Sequence, residues 1–226
     1  YYQYQKQKGI LPMKRIFAIL MTICLLASAL CVTTFAADEP AAGVVLTVGA
    51  LKEEDGSLVV ISDYDNFEDG WNFAMEQAND KKVVYATLLT DWIAEDRQFT
   101  DDFFNGPGFD YDTIYFANDV NITLDLGGHT IDRTLTSSEP NGEVMFINDD
   151  ADVIINNGTI TGGFSNSEGG GLYIEGAMVT LNNVNITGNT VEDDDGAGIA
   201  AYGGTTLIIN GGSISDNLVA QDDVDE

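Results

Sequence analysis

From residue 113 onward, short apolar alternations recur at a steady interval, each closed by a cluster of Gly, Asn or Asp. The clearest frame aligns Gly128-His129-Thr130-Ile131-Asp132, Asn157-Gly158-Thr159-Ile160-Thr161, Val184-Asn185-Ile186-Thr187 and Gly212-Ser213-Ile214-Ser215, with the isoleucines 29, 26 and 28 residues apart. Seven and five residues before each isoleucine stand Leu124 and Leu126, Val153 and Ile155, Val179 and Leu181, and Leu207 and Ile209. A period of two sends such a pair to one face of a strand. A further strand precedes each pair, at Ile114-Tyr115-Phe116, Val144-Met145-Phe146-Ile147, Leu172-Tyr173-Ile174 and Ile199-Ala200-Ala201. A unit of 26 to 30 residues with three short strands and no helix cannot bury its apolar face alone, so neighbouring units must stack. The pattern predicts an all-β solenoid, a parallel β-helix over residues 113–226, with each residue about 4.8 Å from its counterpart in the next unit.

Stacking turns repeats into columns. Asn156, Asn182 and Asn210 fall in one column, and Asn189 and Asn217 in another. Asparagine tolerates left-handed backbone and can hydrogen-bond its copies, so both columns read as turn scaffolding. The same repeat generates the Asn-x-Thr triplets at Asn121, Asn157 and Asn185, which lowers their weight as glycosylation signals.

Residues 37–112 follow another pattern. Phe67, Trp71, Ala74 and Ala78 are spaced by 4, 3 and 4, and Asp65 stands three residues before Glu68 in a capping arrangement. This predicts an amphipathic helix over 66–80, followed by strand from Val83 to Ile93. A helix with a Trp and a Phe on one face suits a lid over the first coil, so a small α/β N-terminal cap is expected. At the other end the chain stops in a repeat loop, Gln221-Asp222-Asp223-Val224-Asp225-Glu226. The expectation is that the repeats belong to the N-terminal part of a longer protein.

The first 36 residues read as an address. Met13-Lys14-Arg15, the apolar run Ile16 to Leu30 and the small residues of Thr34-Phe35-Ala36 make the three-part layout of a secretory signal peptide over 13–36. A run of about 15 apolar residues is short of the roughly 20 that span a bilayer. Residues 1–12 read as sequence translated from upstream of the true start. Both cysteines, Cys24 and Cys31, lie in the leader, so the exported part has no thiol chemistry.

The chain carries 9 Lys+Arg and 37 Asp+Glu, a net charge of -28. Removing residues 1–36 leaves 5 basic and 37 acidic residues, a net of -32 over 190. Nucleic acid is excluded as a partner because its phosphates would be repelled.

The run Val120-Asn121-Ile122-Thr123-Leu124-Asp125-Leu126-Gly127-Gly128-His129-Thr130-Ile131, then Gly169-Gly170-Gly171-Leu172-Tyr173-Ile174 and Ile186-Thr187-Gly188-Asn189, resembles bacterial surface proteins of the right-handed parallel β-helix, pectin-lyase-like class. It is also similar to the Gly-Gly and Asn-rich repeats of polymorphic outer-membrane and autotransporter adhesins. The resemblance covers roughly Thr113 to Asn217. It implies an all-β solenoid, a right-handed parallel β-helix, exported to the cell envelope or outside, with adhesion or display as its role and no catalysis. A carbohydrate-binding module and a polysaccharide lyase or hydrolase are the alternatives, since the same coil serves all of these. The partners expected are glycans or a host or neighbouring cell surface, with membrane contact only through the leader or a C-terminal anchor beyond Glu226.

Candidate chemistry is sparse. Glycan hydrolysis needs two carboxylates about 5 to 10 Å apart across a groove; Asp125 and Asp132, flanking the inward residues of the first clear coil, are the best-placed pair, and strand-edge solvation accounts for them equally well. Pectate lyases take a proton with a basic residue and hold calcium with acids. Here Arg133 is the one Lys or Arg of the repeats and His129 the one histidine, which argues against a lyase. Asp194 and Asp195 lie one 28-residue step before Asp222 and Asp223, so calcium could bridge stacked carboxylates, with solvated loop acids as the plainer reading. Phe99, Phe103, Phe104, Phe109 and Tyr111, set among aspartates, could stack against a sugar or plug the first coil under the helix.

The leader makes a prediction of its own. Expressed with its export machinery, the mature protein should begin at Ala37, read by N-terminal sequencing of the secreted or envelope fraction; a start at Tyr1 or Met13 would refute cleavage.

Overall fold

The alternation seen in the sequence is realised as stacked parallel coils, a β-solenoid of about four turns. The structure, a computed structural model, describes residues 43–52, 58–94, 106–110, 112–192 and 194–220; the signal peptide expected over 13–36 and residues 1–12 lie outside these. The first full coil comprises β6 (Thr113–Phe116), β7 (Asn121–Asp125) and β8 (Thr130–Asp132). The second has β9 (Met145–Ile147), β10 (Asp152–Thr161) and β11 (Phe164–Ser165), and the third β12 (Leu172–Glu175), β13 (Met178–Thr187) and β14 (Thr190–Glu192). The fourth is β15 (Ile199–Tyr202), β16 (Thr206–Ser215) and β17 (Leu218–Ala220).

Like stacks on like in parallel register. Ile131, Ile160, Ile186 and Ile214 form one column, as their spacing predicts. So do Ile114, Met145, Leu172 and Ile199. The inward columns are fully buried through the third coil, Ile122, Leu124, Val153, Ile155, Val179 and Leu181 among them. Each such side chain stabilises the stack by about 1.5–3 kcal/mol. In the fourth coil Ile209 and Ile214 are 48% and 49% exposed, because no coil among the described residues covers them.

One part of the frame shifts. Counting back from the isoleucines sets Leu126 beside Ile155, but the register places Leu124 there and Ile122 beside Val153. The first coil turns on two left-handed glycines, Gly127 (φ 61°) and Gly128 (φ 88°), where the next two coils turn on the single residues Asn157 (φ 53°) and Asn183 (φ 54°). The wider turn absorbs the extra residues, and Leu126 stays buried.

Both asparagine columns form. Asn182 Nδ2 donates to Asn156 Oδ1 at 2.8 Å and Asn210 Nδ2 to Asn182 Oδ1 at 2.9 Å, while the residue after each ladder asparagine takes the left-handed turn. Asn189 is fully buried; its Nδ2 donates to Ile160 O and Thr187 O, and its Oδ1 accepts from Gly163 N at 3.1 Å. The Gly169-Gly170-Gly171 run has a steric reason: a Cβ on Gly170 would stand 2.5 Å from Thr190 O and one on Gly171 2.5 Å from Gly198 O.

The segment ahead of the coils is α/β. Strands β1 (Leu46–Lys52) and β2 (Leu58–Tyr64) pair antiparallel, then come helix α1 (Phe67–Asn79), β3 (Lys82–Leu88), β4 (Trp92–Ile93) and β5 (Phe109–Asp110). The helix falls within the predicted span and buries Phe67, Trp71, Ala74 and Ala78, joined by Gly70 and Met75. Its N-cap is Asn66, whose Oδ1 accepts from Asp69 N at 3.1 Å, in place of the expected Asp65. The strand expected over Val83 to Ile93 is split into β3 and β4. β3 pairs antiparallel with β1 and parallel with β7, and β4 pairs with β8, so parallel stacking starts before residue 113. Trp71 packs edge-on against Phe116 at 4.9 Å, and its Nε1 donates to Tyr115 O, which ties the helix to the first coil.

Asn189→Ala removes a buried amide that satisfies backbone groups on two coils. It should lower the unfolding free energy by about 3 kcal/mol, against under about 1 kcal/mol for Asn210→Ala on the exposed ladder, both read from urea midpoints.

Candidate functional site

In the sheet β15-β12-β9-β6-β5, strands β9 and β12 bury alternate residues and turn the others outward, and Tyr115 of β6 sits between buried Ile114 and Phe116. The central outward residue of β6, β9 and β12 is aromatic. Tyr115, Phe146 and Tyr173 lie in direct register, and each is partly exposed. Tyr115 and Phe146 have centroids 5.6 Å apart at 78°, and Phe146 and Tyr173 5.1 Å apart at 85°. Edge-to-face geometry of this kind is the favoured contact between rings. On the fourth strand Ala200 stands opposite Tyr173, and the column continues through Tyr202, 39% exposed and 5.7 Å from Tyr173.

Polar groups hold the column at both ends. Asn148 Nδ2 donates to the Tyr115 hydroxyl at 2.6 Å, and the Tyr202 hydroxyl donates to Glu168. Loss of hydration, then Glu168, Asp194 and Asp195, pushes the Tyr202 phenol up to about 12. The Tyr173 phenol is raised by desolvation and next by Glu175, Glu168 and Glu143. No lysine, arginine or histidine occurs from 134 to 226, so the coils that carry Phe146, Tyr173 and Tyr202 bring acidic and no basic side chains to this face.

A second constellation gathers around Arg133, which is 3% exposed. Its Nη1 donates to Glu143 O at 2.7 Å and to Thr113 Oγ1 at 2.9 Å. Burial lowers its pKa, opposed by the carboxylates of Glu143, Asp112 and Glu139. Beside it a cavity of about 20 Å³ is lined by Glu68, Trp92, Phe109, Asp112, Arg133 and Glu139. That volume accommodates a water molecule and not a sugar ring. Burial drives the Glu143 carboxyl up to about 7, its own backbone N–H and Arg133 pulling it back and Asp110 adding to the rise. This is a buried charge network joining β6 to the loop before β9.

The residues singled out in the sequence occupy several places. Asp125 Oδ1 accepts from Gly127 N at 3.0 Å and Asn157 Nδ2 at 3.2 Å; Asp132 Oδ1 accepts from Thr134 N at 2.8 Å. Both carboxylates close turns, and neither lines the Arg133 cavity. His129 Nδ1 lies 3.3 Å from Asp91 Oδ1, which also accepts from Thr130 N. Phe109 is buried, with its ring 6.2 Å from that of Phe67, in the packing under the helix. Phe99, Phe103, Phe104 and Tyr111 lie outside the described residues. Asp194 and Asp195 are exposed, Asp195 N donating to Asp194 Oδ1, while Asp222 and Asp223 are outside the described residues. Among the described residues no three Asp, Glu, His or Cys side chains come together to hold a metal ion.

No protein-family model, no curated protein and no solved structure matches the chain. The aromatic column was visible in the sequence as the middle residue of Ile-Tyr-Phe, Met-Phe-Ile and Leu-Tyr-Ile, but only stacking turns that recurrence into a continuous surface.

Glu143 holds its proton more tightly folded than unfolded. Its stabilising contribution is therefore complete below about 4.5, its ordinary value, and is lost as pH rises through about 7. Glu143→Gln should remove this dependence, so that between pH 4.5 and pH 7.5 the variant loses about 3 kcal/mol less than the parent in urea unfolding.

Proposed function

We propose that the chain is a secreted or surface-displayed right-handed parallel β-helix of the pectin-lyase-like class that serves adhesion or display without catalysis. The observation that carries this reading is the employment of the candidate catalytic groups in construction: the carboxylates of Asp125 and Asp132 close turns, and Arg133 is buried against backbone carbonyls. A general acid or base must reach the substrate proton, and a lyase needs an accessible basic group. A hydrated exterior of high negative charge also suits a protein that stays soluble outside the cell. In this reading the helix α1 and its strands protect the first coil from edge-to-edge pairing.

A second reading, carbohydrate binding, is favoured by the outward column Tyr115, Phe146, Tyr173 and Tyr202. Stacked on a rigid sheet, these rings offer apolar area at little entropic cost.

Protease added to intact cells that express the gene should digest the protein, and the cytosolic fraction should lack it. Protection in intact cells together with a cytosolic location would overturn display. On a polysaccharide panel the parent should release no reducing ends; release that Asp125→Asn or Asp132→Asn abolishes would establish an enzyme in its place.

A further inference from the structure

We propose that Tyr115, Phe146, Tyr173 and Tyr202 form a binding track for an extended polysaccharide bearing amino groups, laid along the solenoid axis. The proposal names a ligand class for the display reading and rests on that reading only for its biological setting.

The first argument is periodicity. The rings of Tyr115, Phe146 and Tyr173 follow one another at 5.6 and 5.1 Å, one per coil, because the backbone hydrogen bonds between coils set the step; Tyr202, two residues beyond the register partner of Tyr173, adds a fourth ring 5.7 Å on. A ligand that engages each ring in turn must repeat at nearly that interval along a line. An extended β-linked polysaccharide does so, one sugar per step. An extended peptide does not: its same-face side chains recur every second residue, about 6.6 Å, and fall out of phase within a few rings.

The second argument is charge. Glu168 accepts from Tyr202, Glu175 pairs in register with Tyr202, and Asp194 and Asp195 act on the same phenol. With no basic residue from 134 to 226, an anionic polymer such as polygalacturonate is repelled, whereas a protonated amine gains twice. It pairs with the flanking carboxylates and lies over aromatic faces, where cations are attracted to the ring quadrupole. The rings remain open to such a ligand, since each is partly exposed. The deeper acidic site at Arg133 offers no competing position, having room only for water.

The test uses the full chain and a hexameric glucosamine oligosaccharide at pH 6, with titration calorimetry at about 0.15 M salt, where distant charges are screened. The expected result is saturable binding, weakened about tenfold or more by Phe146→Leu with Tyr173→Leu, which leaves the net charge unchanged. Glu168→Gln with Glu175→Gln should weaken it as well while leaving the rings in place, and a thermal melt of each variant checks that the stack persists. Equal affinity for the fully N-acetylated hexamer would overturn the amine requirement and with it the proposal. So would equal affinity for oligolysine with no effect of the leucine pair, since that marks nonspecific attraction to an acidic surface. Absence of any binding, with the protein still protease-accessible on intact cells, would sink the track and leave surface display standing.

Discussion

Parallel, in-register hydrogen bonding between coils makes every position answer to its copies above and below. Once Val153 lies on Ile122 and Val179 on Val153, the side chains between them are fixed as well: an apolar residue inward needs an apolar residue above it, and a turn asparagine needs another amide within reach. The interior and the asparagine ladders are two readings of one constraint. The inward columns gain from removal of water, and the ladders gain because an amide both donates and accepts, so a line of them leaves no buried group unpaired. Asn189 illustrates the second case, satisfying strands from neighbouring coils from a fully buried position.

That constraint explains what could be read from the sequence. Ile131, Ile160, Ile186 and Ile214 stand out because stacking forces equivalent residues into equivalent places, and their column forms as read. The error at Leu126 has a local cause: two glycines in left-handed conformation widen one turn, and turn width leaves no mark on apolar periodicity. The helix was legible through its Phe67, Trp71, Ala74, Ala78 stripe, whereas the choice of Asn66 over Asp65 as its cap depends on where the chain enters the first turn. Of the site, Asp125 and Asp132 are candidates by residue type, and only the structure assigns their lone pairs to turn amides. The aromatic column needed register as well as composition.

The junction at β3 is where two kinds of sheet meet. Its antiparallel neighbour β1 belongs to the α/β segment and its parallel neighbour β7 to the coils, so a single hydrogen-bonded sheet runs through both. Around it Phe67, Trp71, Trp92, Phe109 and Phe116 pack together, and Arg133 lines the same small cavity as Trp92 and Phe109, with Asp112 and Glu139 beside it. In a chain this short of positive charge, placing one guanidinium where it meets Thr113 and the Glu143 carbonyl concentrates its effect on a join between successive strands of different coils.

The isoleucine column has unequal sequence intervals of 29, 26 and 28 residues yet equal steps in space, since loops take up the difference and backbone hydrogen bonds set the rise. The solenoid is therefore a ruler whose gradations do not depend on how much chain lies between the marks. Duplication or loss of one unit in the gene changes the reach of the protein by one fixed increment, and any feature carried once per coil, such as the outward ring, is multiplied or removed with it. Length can thus vary among descendants of such a gene while the spacing of the displayed groups stays constant.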